Sequence, residues 1–253
     1  MRRDDLIQWI NTTLDVASYG DYSPIGLQVE GAPEVTRIAL GVSAHLALIE
    51  DAAKWGAQAL LVHHGFFWPG ESPVLKGWRK HRIKALLNAD ITLAGYHLPL
   101  DGHPVVGNNA CIADLLEIPH EGRETFARAK GADIGIIGRY ATPRPAEAIL
   151  ETLKAQFGER TLVFEGGPEQ IDAVGIVSGG GAGYFGEARA RGAQLFITGE
   201  PKEPTMAEAR ETGATFVAAG HYNTERLGII ALGQKIMETF DVEVRFFEHP
   251  NPV

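Results

Sequence analysis

Imidazoles and carboxylates recur in this chain where apolar runs end. His63 and His64 close LLVHHG, and His97 and Asp101 follow ITLAG in GYHLPLD. Glu200 ends LFITGE, and His221 and Glu225 follow TFVAAG in GHYNTE. No cysteine joins them. Donors of this kind suit Zn, Fe or Mn. A catalytic zinc ordinarily keeps three protein ligands and an open position, so a larger set fits two ions sharing a bridging carboxylate. Neighbouring strand residues point to opposite faces. His63 and His64 would therefore reach one centre only if the strand has ended, whereas with two ions each could hold one. Asp101 or Glu225 would then bridge. A single histidine after a strand is ordinarily a satisfied structural residue. The joint pattern is what points to metal: HisHis, His-x-x-x-Asp and His-x-x-x-Glu at matched strand ends. His45, His81, His103, His120 and His249 lie in loops, a first helical turn or a basic helix face, and are read as standing outside it.

The elements that must position these residues are legible as alternating periods. Arg37–Val42, Ala59–Val62 and Ile91–Gly95 are short apolar runs. Leu46–Trp55 and Arg79–Asn88 carry helical spacing. Such alternation predicts parallel sheet packed by helices, with function gathered beyond the carboxyl ends of the strands. The plan occurs twice. Gly56-Ala57-Gln58 opens one buried strand and Gly192-Ala193-Gln194 another. Each follows a helical pattern and an earlier strand, RIALGV or AVGIVS, and each half ends on His-x-x-x-acid. The expected fold class is α/β: internally duplicated three-layer α/β/α units with mostly parallel sheets. The two similar halves are residues 1–125, carrying HHG and HLPLD, and 126–253, carrying GHYNTE, side by side or intertwined. The polar stretch Glu121–Lys130 is read as the boundary, with a weaker break at Phe164–Gln170.

Bulk properties exclude several classes. The 253 residues are 45% hydrophobic and 22% charged with a net charge of −9, ordinary for a globular protein. No run of Lys or Arg marks a nucleic-acid footprint. No stretch has the length of a membrane helix, and MRRDDLIQWI lacks a signal peptide's apolar core, so the expected compartment is the cytoplasm. The single cysteine, Cys111, sits in the apolar helical pattern NNACIADLLEI and is read as core packing. Gly181-Ala-Gly-Tyr-Phe-Gly186 follows a strand, with Glu200 beyond it, which is the layout of a dinucleotide fingerprint and of an oxidoreductase. The other reading is a tight turn. The first half has VSAHLA at the matching place, so the glycines are not part of the repeated plan.

At these residues the chain resembles the GTP cyclohydrolase I type 2 family, also called NIF-three-like proteins, nearly end to end. The blocks that carry the resemblance are SPIGLQVEG, LLVHHGFFWPGESPV, GYHLPLDGHPVVGNNACIADLLEI, SGGGAGYF, LFITGE and AAGHYNTER. The resemblance implies two divalent ions per subunit (Zn, Fe or Mn), with His63, His64, Asp101, His221 and Glu225 as ligands. It leaves His97 as a proton-transfer candidate and Glu200 outside the set. It also implies a duplicated α/β unit and a homohexameric ring with metal sites facing the interior. Two functions go with it. One is metal-dependent hydrolysis of a small molecule, a nucleotide such as GTP among the candidates, with metal-bound hydroxide as nucleophile. The other is a non-catalytic interaction or regulatory role. Phe66, Phe67 and Trp68 would form an aromatic wall for a base, or pack as core or subunit contact. Arg226 would meet an anionic substrate, or lie at the surface or an interface.

Overall fold

A computed structural model describes residues 1–253. The chain runs α1 (Arg3–Thr13), β1 (Gly26–Val29), β2 (Arg37–Ser43), α2 (Leu46–Trp55), β3 (Ala59–His64), α3 (Gly77–Ala89), β4 (Thr92–Gly95) and α4 (Leu98–Gly102). Then come α5 (Asn108–Leu115), β5 (Arg123–Ala129), β6 (Ala132–Pro145), α6 (Ala146–Phe157), β7 (Leu162–Phe164) and β8 (Gln170–Ile176). It closes with α7 (Phe185–Ala190), β9 (Leu195–Thr198), α8 (Thr205–Thr212), β10 (Thr215–Ala218), α9 (His221–Thr239) and β11 (Glu243–Phe246). Two compact units result. The first comprises Met1–Leu100 and Gly228–His249, the second Asp101–Leu227 and Pro250–Val253. No helix is long and apolar enough to cross a membrane.

The first unit holds a five-stranded sheet in the order β1-β4-β3-β2-β11, parallel except for the edge pair β1/β4. Parallel strands covered on both faces read as continuous apolar runs. That is why RIALGVS and ALLVHH lack alternation and are buried almost throughout. On one face Leu60, Val62 and Leu93 pack with Leu48, Ile49 and Ala52 of α2 and Leu86 of α3. Truncating one such leucine to alanine costs about 2–5 kcal/mol. On the other face α9 comes so near that Gly233 lies against Leu40. The ring of Trp9 in α1 meets that of Phe240, just past the end of α9, edge-on at 5.3 Å. His45, set aside above, is the N-cap of α2 and accepts the Leu48 N–H at 3.2 Å.

The second unit holds a six-stranded sheet in the order β5-β6-β8-β9-β10-β7. Its centre, β8/β9/β10, is parallel, and the outer pairs are antiparallel. Helices α5 and α6 bury Ile112, Ala113, Ile149 and Leu153 with Val174, Ile176, Ile197 and Val217. The rings of Phe185, Phe196 and Phe216 cluster from α7, β9 and β10. The polar stretch Glu121–Lys130, read above as a boundary, is largely β5, an edge strand paired with β6. An edge strand keeps polar residues because half of it faces water, which is what disguised it.

The two halves are similar, and the Gly-Ala-Gln repeat has a physical reason. The backbone of Gln58 links Arg37 and Thr92 on the neighbouring strands at 3.0 and 2.9 Å. Gln194 links Ala173 and Thr215 at the same two distances. Each glutamine's side-chain oxygen then accepts from the start of the preceding parallel strand. Gln58 takes the N–H groups of Thr36 and Arg37, and Gln194 those of Asp172 and Ala173. The glycines turn at φ 79° and 91°, which ends each helix and releases the chain into the strand. The triplet thus sets register at the same corner of both sheets.

Candidate metal centre

In the first unit the parallel register brings the strand ends level. Ser43 lies opposite His64 and Val62 opposite Gly95. β3 continues two residues past the apolar run and includes both histidines, rather than ending before them. Their rings are nevertheless 4.6 Å apart, and His97, just beyond β4, is 5.0 Å from His63 and 5.5 Å from His64. Candidate ring nitrogens of all three lie within 4.8 Å of one another.

Each of these rings is oriented from behind. His63 is fully buried, and its Nδ1 donates to the Tyr96 carbonyl at 3.0 Å. A carbonyl only accepts, so the proton sits on Nδ1 and the Nε2 lone pair faces the other way. His97 Nδ1 donates to Asp21 Oδ1 at 2.8 Å, and Asp21 also accepts the Leu98 N–H at 2.8 Å. Burial alone would raise the Asp21 pKa, but the His97 hydrogen bond and charge together with backbone donors outweigh it and hold the carboxylate low. His64 Nδ1 pairs with Ser43 Oγ at 3.1 Å. For His63 and His97 the Nδ1 contact leaves Nε2 as the nitrogen available to an ion or a proton, an arrangement also found around metal-binding histidines, and for His64 it orients the ring.

In the second unit His221 opens α9 and Glu225 follows one turn later, on the same face. His221 Nε2 is 3.2 Å from Glu225 Oε1, and its Nδ1 donates to Glu200. Burial would lower the His221 pKa, but hydrogen bonds and charges from Glu225 and Glu200 prevail and lift it to about 9. The carboxylates therefore create a position that favours positive charge. Glu200, left outside the expected ligand set, orients His221 from behind as Asp21 orients His97.

Asp101 is 5% exposed and Glu225 3%. Asp101 Oδ1 accepts from Asn108 Nδ2 and Ser178 Oγ, both at 2.9 Å. Fully buried Asn109 donates to the carbonyls of Asp101 and Ile134 and accepts the Ser178 N–H at 2.7 Å. The next residue, Gly179, lies directly under Glu225 and His221, where a side chain would overlap the carboxylate. So SGGG supports Asp101 and Glu225. Downstream, Gly181 packs against Val177 and Thr198 ahead of the six-residue helix α7.

Both units thus carry buried or half-buried His, Asp and Glu groups whose chemistry fits a divalent ion. Nitrogen and oxygen donors dominate, the histidines are held in a fixed tautomer or orientation, and a cation is favoured at His221. The supporting residues Asp21, Ser43, Asn108, Asn109 and Ser178 were not singled out from the sequence. Asp21 stands away from any apolar run and the others are not ligand types, so they show no signal until folding brings them behind the candidate ligands. Of the aromatic trio, Phe66 is buried in the core and Phe67 is exposed at φ 67°. Trp68 stands against His64 and His97 at 5.8 and 5.1 Å between ring centres. Arg226 is half-buried on α9.

Comparison with known proteins agrees with the resemblance drawn from the motifs. The family model Duf34/NIF3 (NGG1p interacting factor 3) matches residues 1–252. The chain is 43% identical over 253 residues, all of both sequences, to a GTP cyclohydrolase 1 type 2 homolog of Escherichia coli. It is similar in structure to protein ybgI, described as of unknown function, with TM-score 0.90, 42% identity and 100% of both chains covered. It is also similar to a Thermus thermophilus protein, with TM-score 0.87, 32% identity and the same coverage. A motif match, full-length identity and a shared fold together carry one conclusion: the chain belongs to the Duf34/NIF3 family.

Proposed function

We propose that this protein holds two divalent metal ions through His63, His64, Asp101, His221 and Glu225 and uses them to hydrolyse a small molecule. The observation that carries the reading is the anchoring of the histidines. His63 and His97 each donate Nδ1–H to a group that can only accept, and His64 and His221 have Nδ1 engaged by Ser43 and Glu200. Structural histidines need no such uniform orientation; ligands and proton carriers do. Bound divalent ions would lower the pKa of water towards about 7 and polarise the bond under attack.

The chain's own residues supply the rest. Asp101 and Glu225 are the buried carboxylates that would hold the ions together with the histidines. His97, with Nδ1 fixed by Asp21, keeps Nε2 for carrying a proton. Trp68 and Tyr22 stand edge-on to its ring at 5.1 and 6.3 Å. The name carried by the relatives and the motif resemblance support a nucleotide such as GTP as the substrate. The resemblance also supports a hexameric ring.

The test is turnover by metal-loaded protein on GTP, a phosphoester and a cyclic amide, with light scattering to establish assembly. Formate or phosphate release that disappears on chelation and returns with metal supports hydrolysis. No turnover of any of these by the intact ring rejects it in favour of a metal-stabilised interaction protein.

A further inference from the structure

One block of the sequence has no part in the proposed chemistry: SPIGLQ, Ser23–Gln28. In the first unit it runs into β1, an edge strand. β1 pairs Leu27 with Ala94 and Val29 with Leu93, which leaves Gln28 as the extra residue of a β-bulge. Bulges re-aim a side chain, often beside a functional site. Here the Gln28 amide lies over Gly65, just past β3, and Gly95, at the end of β4, and a side chain on either glycine would overlap it. His63 and His64 stand immediately before Gly65, and His97 follows two residues after Gly95.

Hydrogen bonds fix the amide in this place. Gln28 Oε1 accepts the Phe66 N–H at 2.6 Å, and Nε2 donates to the Pro24 carbonyl at 2.7 Å and to Ser23 Oγ at 3.2 Å. The buried Ser23 hydroxyl donates in turn to the Phe66 carbonyl at 2.8 Å. Two side chains thus take both backbone groups of Phe66. The sheet explains the need for them. The last pair between β3 and β4 is Val62 with Gly95, and the last between β2 and β3 is Ser43 with His64. Past those pairs the backbone groups of Phe66 have left the ladder and need other partners. Glycine also gives the chain next to His64 its widest choice of angles, and the clamp removes that choice. Its hold extends to Trp68, whose Nε1–H donates to the Gly65 carbonyl at 3.0 Å and whose ring stands against His64 and His97.

We propose that Gln28 and Ser23 are positioning residues for the histidine cluster: they lock the turn after HHG and so fix the direction of the His64 ring and the place of Trp68 beside it. The proposal deepens the metal reading by naming what aims a ligand, and it rests on that reading only for its effect on metal affinity. His64 depends on the clamp more than His63 does. His63 is fully buried and anchored on the Tyr96 carbonyl, whereas His64 is half-buried and adjoins the turn itself.

Three variants of the full-length protein test this. Gln28→Met keeps a side chain of similar length over the two glycines and removes its hydrogen bonds. Ser23→Ala removes the other half of the clamp and remains informative if Gln28→Met fails to fold. Leu40→Ala, a core truncation on the face of the sheet that meets Gly233, is the control for lost stability alone. The first readout is the imidazole Cε1–H resonances of isotope-labelled, metal-free protein. His64 should shift and broaden in both clamp variants, while His221, held by Glu200 in the second unit, keeps its position. Leu40→Ala should move neither. The second readout is affinity for cobalt by competition with a chelator, which should fall about 10-fold or more in both clamp variants and hold in Leu40→Ala. The parent's His64 resonance in the folded clamp variants overturns the proposal, and so does unchanged affinity where the parent binds cobalt. A parent that binds no cobalt removes the metal reading, and the His64 resonance then decides the proposal by itself.

Discussion

Gly179 lies against Glu225 with no room between backbone and carboxylate, at a φ of 60°. A methyl group there would both occupy the carboxylate's place and sit in a disfavoured backbone region. Gly179→Ala should cost about 1–3 kcal/mol in stability and displace Glu225. Chemical denaturation and metal content read the two effects separately. A variant with wild-type values in both would remove Gly179 from the account.

His97 is held by Asp21 at 2.8 Å. Asp21→Asn can turn its amide so that an N–H meets Nδ1 and the ring takes the wrong tautomer. Turnover should fall about 10- to 100-fold with metal content unchanged. His97→Gln, which removes the proton carrier, should fall about 100- to 10,000-fold. The ratio of kcat to metal occupancy is the measurement. Metal lost in step with activity would make His97 a ligand instead.

Asn109 bridges three backbone groups in a place with no exposure. Asn109→Ala leaves the Ser178 N–H and two carbonyls without that partner. A loss of about 2–4 kcal/mol in unfolding free energy is expected. A loss below about 1 kcal/mol would mean that the Asp101 support is not cooperative.

Burial raises the Cys111 thiol to about 11. At pH 8 about one thiol in a thousand would then be ionised, against roughly one in four for an ordinary cysteine. The native protein should react with a thiol reagent at least about 100-fold more slowly than the unfolded chain. Rapid native labelling would contradict the reading of Cys111 as packing.

The parts of this site that were legible in the sequence are those with a period or a chemical signature. HHG, HLPLD and GHYNTE stand at strand ends because apolar runs stop there, and Gly-Ala-Gln marks the same corner in both sheets. β5 was hidden because an edge strand is polar. Asp21 and Ser178 were hidden because their work depends on what folding places beside them. Glu200 was visible as a carboxylate, but only its hydrogen bond to His221 assigns it a positioning role.

The central claim is that five named side chains hold two ions. Elemental analysis of purified protein, with His64→Ala and Glu225→Ala alongside, tests it most directly. The account predicts close to two divalent ions per chain in the parent and a clear loss in each variant, with folding confirmed by circular dichroism. Unchanged metal content in both folded variants, or a parent that binds no metal when reconstituted, would contradict it.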